Sequence, residues 1–322
     1  MMRKSRMIVP AVLLAALSAA AAPRRSAAPP ANLIATFSIV AYDPANGDLG
    51  VAVTSKFPAV GNGVPWARAG VGAVATQAAA NLSFGEGGLD WMVRGASAEE
   101  ALRRVIEADP GREERQVGMV DARGNAATFT GKNCFSWAGG RTGKHYAAQG
   151  NILVGRETIE AMSRAFERTR GELPDRLVAA LSAGQAAGGD RRGRESAALL
   201  VVRKGAGYGG RGDRWVDLRV DDHPDPVREL RRLLAVHHLY FGRTDRSKVV
   251  RIDAALAREI QLVLSRRGFY KGSIHGKYDA ATRKALEDYL GWENLEERIQ
   301  KDDTIDDVVL AYIREHDEPG RR

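Results

Sequence analysis

The pattern of apolar and polar positions divides the chain into hairpins and helices. Thr36–Asp43 (TFSIVAYD) alternates Phe37, Ile39 and Ala41 against Ser38 and Val40, which predicts a strand. Pro44–Gly47 is turn chemistry, and Asp48–Ser55 returns as the partner strand. Gly70–Gln77 is a third, closely packed strand. Ser97 with Glu100 three residues on forms a capping box that opens a helix through Ala108, stopped by Asp109-Pro110-Gly111. Gln116–Ala122 and Ala126–Thr130 form a second hairpin, and Ile152–Val154 a short strand. Helical periodicity follows over 157–170 and 174–187, then strands over 196–204 and 215–220, then an amphipathic helix over 226–241. Strands arrive in hairpins and helices in pairs, an order that suggests two antiparallel sheets with helices outside, an α+β fold.

The texture changes after Gly242. Residues 243–322 carry 16 basic and 16 acidic side chains, segregated so that 248–284 holds 9 basic and 3 acidic residues and 285–318 holds 3 and 12. A small, mostly helical domain is expected over 249–318, able to fold alone. Its helices cover 253–267, 280–291 and 305–316, the last with Val308, Val309 and Tyr312 on one face.

The first 35 residues alter the reading of charge. Arg3, Lys4 and Arg6 precede an apolar run to Ala22, closed by three alanines: a signal peptide over 1–22 and a spacer over 23–35. The chain's net charge is +8; losing Arg3, Lys4, Arg6, Arg24 and Arg25, with no acid, leaves +3. The basic character belongs mostly to the export segment, so no nucleic-acid partner is expected. No membrane span is expected after signal removal, and the location is periplasmic or extracellular. One cysteine, Cys134, excludes a disulfide scaffold and cysteine-rich metal sites; it reads as a small core residue.

Chemistry is sparse. Nucleophile-elbow, P-loop and zincin motifs are absent. Asp221, Asp222, His223 and Asp225 read as a turn rather than a cation site. His237 and His238 read as packing or surface residues. No metal or cofactor is expected. A threonine beginning the first strand directly after the spacer has one distinctive use. Released by cleavage after Ala35, Thr36 would carry a free amine of pKa about 7.7–8.0 beside its hydroxyl, and that amine can serve as the base. Lys56, at the end of the paired strand, could lower the amine's pKa by like-charge repulsion.

Residues 36–241 resemble the domain of unknown function 1028 family, grouped with the N-terminal-nucleophile (Ntn) hydrolases. The motifs are Thr36–Asp43, Val64–Gln77 (VPWARAGVGAVATQ), Arg115–Ala122 (RQVGMVDA), Gln149–Leu153 (QGNIL), Gly188–Leu200 (GGDRRGRESAALL) and Asp217–Pro226 (DLRVDDHPDP). The resemblance implies a four-layer αββα sandwich over 36–242 and amide hydrolysis. It puts Thr36 at the nucleophile position, with Lys56 and Asp190 as assisting residues. The tail, with Ile260 and the run Arg266–Asp279 followed by Thr282, resembles a peptidoglycan-binding domain, with His275 where an Asp is usual. That resemblance implies peptidoglycan or another envelope amide as partner. Phe269, Tyr270 and Tyr278 are candidates to stack on sugars, and core packing is their ordinary alternative. Three functions remain open at this point: an exported amidohydrolase docked on the wall, a catalytically silent envelope-binding protein, and an envelope scaffold. The tail could instead pair chains into a homo-oligomer through its basic and acidic halves.

Overall fold

The computed structural model describes residues 36–317; the expected signal peptide and spacer lie outside them. β1 (Thr36–Asp43) and β2 (Asp48–Ser55) form the expected antiparallel hairpin, with Gly47 at φ 81° in the turn. β3 (Pro65–Arg68), β4 (Gly72–Ala78), α1 (Ser83–Val93), α2 (Ala98–Glu107), β5 (Arg115–Asp121) and β6 (Ala126–Thr130) follow. Then come β7 (Gly139–Gly143), β8 (Tyr146–Asn151), α3 (Glu157–Arg168), α4 (Leu173–Ala186), β9 (Ser196–Val202), β10 (Arg214–Val220) and α5 (Pro226–Phe241). One sheet has the order β10-β9-β2-β1-β8-β7 and the other β3-β4-β5-β6, with every neighbouring pair antiparallel.

Strand periodicity explains the layers. Phe37, Ile39 and Ala41 of β1 join Met162, Phe166, Leu177, Leu181 and Leu230 in a core under α3, α4 and α5. Val40 points the other way, into a core between the sheets with Val51, Val53, Ala73, Ala75, Val120 and Ala147. On the far side, Val74 and Met119 meet Phe84, Leu89, Leu102 and Val105 of α1 and α2. The result is the four-layer αββα sandwich, an α+β fold.

Four elements of this domain depart from expectation. α1 was not predicted, because Gly85, Gly87 and Gly88 break its apolar pattern; a Cβ at Gly85 would lie 2.2 Å from the Trp66 ring, so glycine is what lets the indole pack there. The short strands β3 and β7 were also missed. The strand expected at Ile152–Val154 lies earlier, as β8. Ile152 itself takes φ 51°, which ends the ladder, and only Leu153 bridges onward, to Asp190.

The tail comprises β11 (Val250–Arg251), α6 (Ala254–Arg266), α7 (Ala280–Trp292), β12 (Thr304–Ile305) and α8 (Asp307–Glu315). Asp253, Asp279 and Asp306 cap the three helices through their side chains. Ile260, Leu264, Leu286, Leu290, Val309 and Ile313 form the core, against which Leu239 and Tyr240 of α5 also pack. Val308 is exposed; the inward face of α8 is Val309, Leu310 and Ile313, one position round from the expected face. No helix among the described residues is long and apolar enough to cross a membrane.

Candidate active site

The layer between the sheets changes character at one end. Along most of β1, β2, β4, β5 and β8 it is Val and Ala. At the Thr36 end the same strand faces carry Thr36, Ser38, Ser55, Gln77, Gln116, Gln149 and Asn151, all buried. Register brings them together: Thr36 lies between Ser55 of β2 and Asn151 of β8, and Gln77 of β4 is opposite Gln116 of β5.

The amides form a connected network. Gln77 Nε2 donates to the Thr36 carbonyl at 3.1 Å and to Gln116 Oε1 at 2.8 Å. Asn151 Nδ2 donates to the same carbonyl at 3.5 Å and to Gln116 Oε1 at 3.0 Å. Gln116 Nε2 in turn donates to Thr130 Oγ1 and to the carbonyls of Gly139 and Gly150. The Ser38 hydroxyl donates to Gln77 Oε1 at 2.6 Å and accepts from Gln149 Nε2 at 2.7 Å. Gln149 fits against β5 only because residue 118 is glycine: a Cβ there would lie 2.1 Å from its Oε1. Both donors to Thr36 precede left-handed residues, Ala78 at φ 68° and Ile152 at φ 51°. For a β-branched side chain that conformation is strained, and such strain concentrates at functional positions.

The Thr36 hydroxyl donates to Ser55 Oγ at 3.2 Å, and Ser55 Oγ also accepts from the Phe57 N–H. Lys56 lies one residue further on, where the strand has ended. Its ammonium pairs with Glu195 at 2.5 Å and is partly exposed. Asp190 is buried; it accepts from the Lys56 N–H at 3.0 Å and from the backbone and guanidinium of Arg192. Asp190 therefore braces the end of β2 against the 190–196 loop. Sequence reasoning had named Thr36, Lys56 and Asp190. It missed Ser55 and the four amides, although period-2 counting from Val53, Ala75, Val120 and Ala147 puts each on the inter-sheet face.

The remaining candidates fall elsewhere. His223 sits in a turn in which its Nδ1 accepts from the Asp225 N–H, while Asp225 pairs with Arg194 and Arg228. Among the described residues the grouping with metal-ligand spacing is a different one, Glu172, Asp175 and His238, whose ligand atoms lie within 4.8 Å of one another. His238 Nε2 is already engaged with Asp175 at 3.1 Å, and the cleft is lined by the carboxylates of Asp245, Asp306 and Asp307 as well as by Arg243, Lys248 and Arg298. Burial pushes the Cys134 thiol up to about 11, an unreactive state.

The model of the family of unknown function DUF1028 matches residues 36–230, more than half of the chain. The chain belongs to this family. A second family model, described as "Putative peptidoglycan binding domain", matches 240–313, which begins inside α5, nine residues before the expected boundary. Among solved structures, protein SPO2555 from Silicibacter pomeroyi, also of DUF1028, is 34% identical with a TM-score of 0.58, covering 63% of this chain and 89% of its own. Anbu from Yersinia bercovieri, an ancestral β-subunit, is 14% identical with a TM-score of 0.28 over 62% and 93%. No curated protein matches.

Within the C-terminal module, Tyr270 is 5% exposed and its hydroxyl donates to the Ser273 carbonyl. It is a core residue, the ordinary alternative that the sequence left open beside sugar stacking. Phe269 is half-buried against Tyr289, and Tyr278 is half-buried with Arg283 over its ring. His275, in the Asp position, accepts from the Lys277 N–H and lies 3.3 Å from the Tyr270 hydroxyl, fastening the loop.

Proposed function

We propose that this DUF1028 domain is an exported amide hydrolase of the N-terminal-nucleophile type, held on the cell wall by its C-terminal module. The observation that carries this reading is the network that grips the Thr36 carbonyl from two strands, Gln77 and Asn151, where the inter-sheet core turns polar. Cleavage after Ala35 frees the Thr36 amine. The amine takes the hydroxyl proton, Oγ1 attacks the substrate carbonyl, and the departing amine receives the proton. An ester on Thr36 remains, and water hydrolyses it. Ser55 orients Oγ1. Lys56 keeps the amine unprotonated by like charge, and Asp190 fixes the strand end that carries both. The substrate class is an amide of peptidoglycan or another envelope polymer.

The test is the N-terminus of protein recovered from the envelope fraction, followed by amine release from purified wall. Thr36 as first residue, with activity lost in Thr36→Ala, supports the reading. A stable chain beginning upstream overturns it, because the Thr36 nitrogen would remain acylated.

A second reading is a catalytically silent binding protein. It is favoured by the complete burial of Thr36 and near-complete burial of Ser55. A wall-bound protein that hydrolyses no envelope amide would support it.

A further inference from the structure

Trp292 is 76% exposed at the end of α7, far above the usual burial of tryptophan. Its ring is 6.4 Å from that of Phe269 with the planes inclined at 60°, and Phe269 is itself braced edge-on by Tyr289 at 5.4 Å. The two rings thus form an angled corner with a rigid inner wall. The ground beside it is open: a Cβ at Gly268 or at Gly291, the residues preceding the two rings, would meet nothing within 4 Å. Arg267, on the same turn as Phe269, makes no ion pair among the described residues, and its charge reaches the Tyr289 hydroxyl.

We propose that this corner is the glycan-binding site of the wall-binding module, Trp292 stacking on a sugar ring and Arg267 pairing with a carboxylate of the attached peptide. The proposal rests on the wall-docking part of the reading above. Its chemistry is specific. The C–H face of a pyranose is apolar and carries partial positive charge, which suits the negative face of an indole. Peptidoglycan sets carboxylates beside such faces, and a guanidinium with no ion pair among the described residues suits them. Of the residues the loop sequence favoured, Tyr270 is buried in the core, whereas Phe269 is partly buried and supplies the inner wall of the corner.

Co-sedimentation of the full chain with purified sacculi tests the assignment. Trp292→Ala is expected to weaken binding about tenfold and Trp292→Phe to restore most of it, with unchanged melting because the side chain is exposed. Arg267→Gln is expected to weaken binding to intact sacculi but not to glycan strands stripped of their peptides. Wild-type binding with no loss in Trp292→Ala overturns the site while leaving wall docking in place. Failure of the wild-type chain to sediment overturns wall docking, and the site with it.

Discussion

Thr36 and Ser55 are cross-strand partners whose hydroxyls meet at 3.2 Å on the inter-sheet face. Strand alternation fixes that meeting. Val51 and Val53 of β2 face the other sheet, so Ser55 does too, and the next residue leaves that face. Lys56 accordingly turns to Glu195. The side-chain partner of the Thr36 hydroxyl is therefore another hydroxyl, and the lysine lies at the partly exposed rim.

Ser55→Ala is expected to lower the amide-hydrolysis rate about tenfold, because Oγ1 loses the acceptor that orients it. It should also cost roughly 1 kcal/mol of stability, since the Phe57 N–H loses its acceptor. Steady-state kinetics and urea unfolding on one preparation separate the two effects. An unchanged rate would remove Ser55 from the site.

Lys56→Met is expected to reduce the rate about 10²-fold while changing stability by about 1 kcal/mol or less, because its ion pair is partly exposed. In its pH–rate profile the acid-side limb, set by the amine that must be unprotonated to act, should move to higher pH, the amine having lost a neighbouring positive charge. Wild-type rate and profile in a folded variant would reduce Lys56 to a surface ion pair.

Gln116 is the hub of the amide network: it accepts from Gln77 and Asn151 and donates to three oxygens. Gln116→Leu strands two buried amide donors and is expected to cost roughly 2–4 kcal/mol in urea unfolding. A cost below about 1 kcal/mol would mean that the network reorganises without it.

The legible parts of the sequence were those with local signals. Ser97 accepts from the Glu100 N–H as the capping box requires, and α5 runs between Pro226 and Gly242 as its punctuation implies. The α1 helix was illegible because its glycines serve the packing of Trp66, a tertiary fact. The amides around Thr36 were illegible for a related reason. A single Gln or Asn at a strand end looks solvated, and only the pairing of five strands shows that they converge. Tyr270, a stacking candidate in the loop motif, is buried, while Trp292, outside that motif, is exposed, because position in a loop motif carries no information about burial.

His237 gives the domain an acid sensitivity. Burial, then the neighbouring His238, pushes its imidazole down to about 4, and it packs against Trp215 and Phe241. Its folded pKa is depressed, so the unfolded chain binds the extra proton first. Stability is therefore intact above about pH 6.5 and falls as pH drops toward 4, by roughly 2 kcal/mol at pH 5. His237→Phe keeps the aromatic contacts and should flatten this part of the melting-temperature profile. A profile identical to wild type between pH 7 and 5 would place the sensitivity elsewhere.

Arg298 decides whether the C-terminal module stands alone. It is 4% exposed and pairs with the equally buried Asp306 at 2.9 Å. Its other donors cap the end of α5, Nε on the Leu239 carbonyl at 3.0 Å and a terminal nitrogen on that of His238. Leu239 and Tyr240 also pack on the module's core. A fragment of residues 249–317, starting at the boundary expected from sequence for the 249–318 domain, would lose these carbonyls and side chains and leave a buried guanidinium with part of its hydrogen bonding missing. That fragment is expected to melt well below one spanning 226–317, or not to fold. Asp306→Ala in the full chain should cost about 3–5 kcal/mol by leaving the Arg298 charge uncompensated, while Arg298→Met with Asp306→Leu should recover much of the loss. Circular-dichroism melts of the two fragments provide the check. Equal melting temperatures would show that α5 contributes nothing to the module, and that Arg298 serves its internal pairing with Asp306 alone.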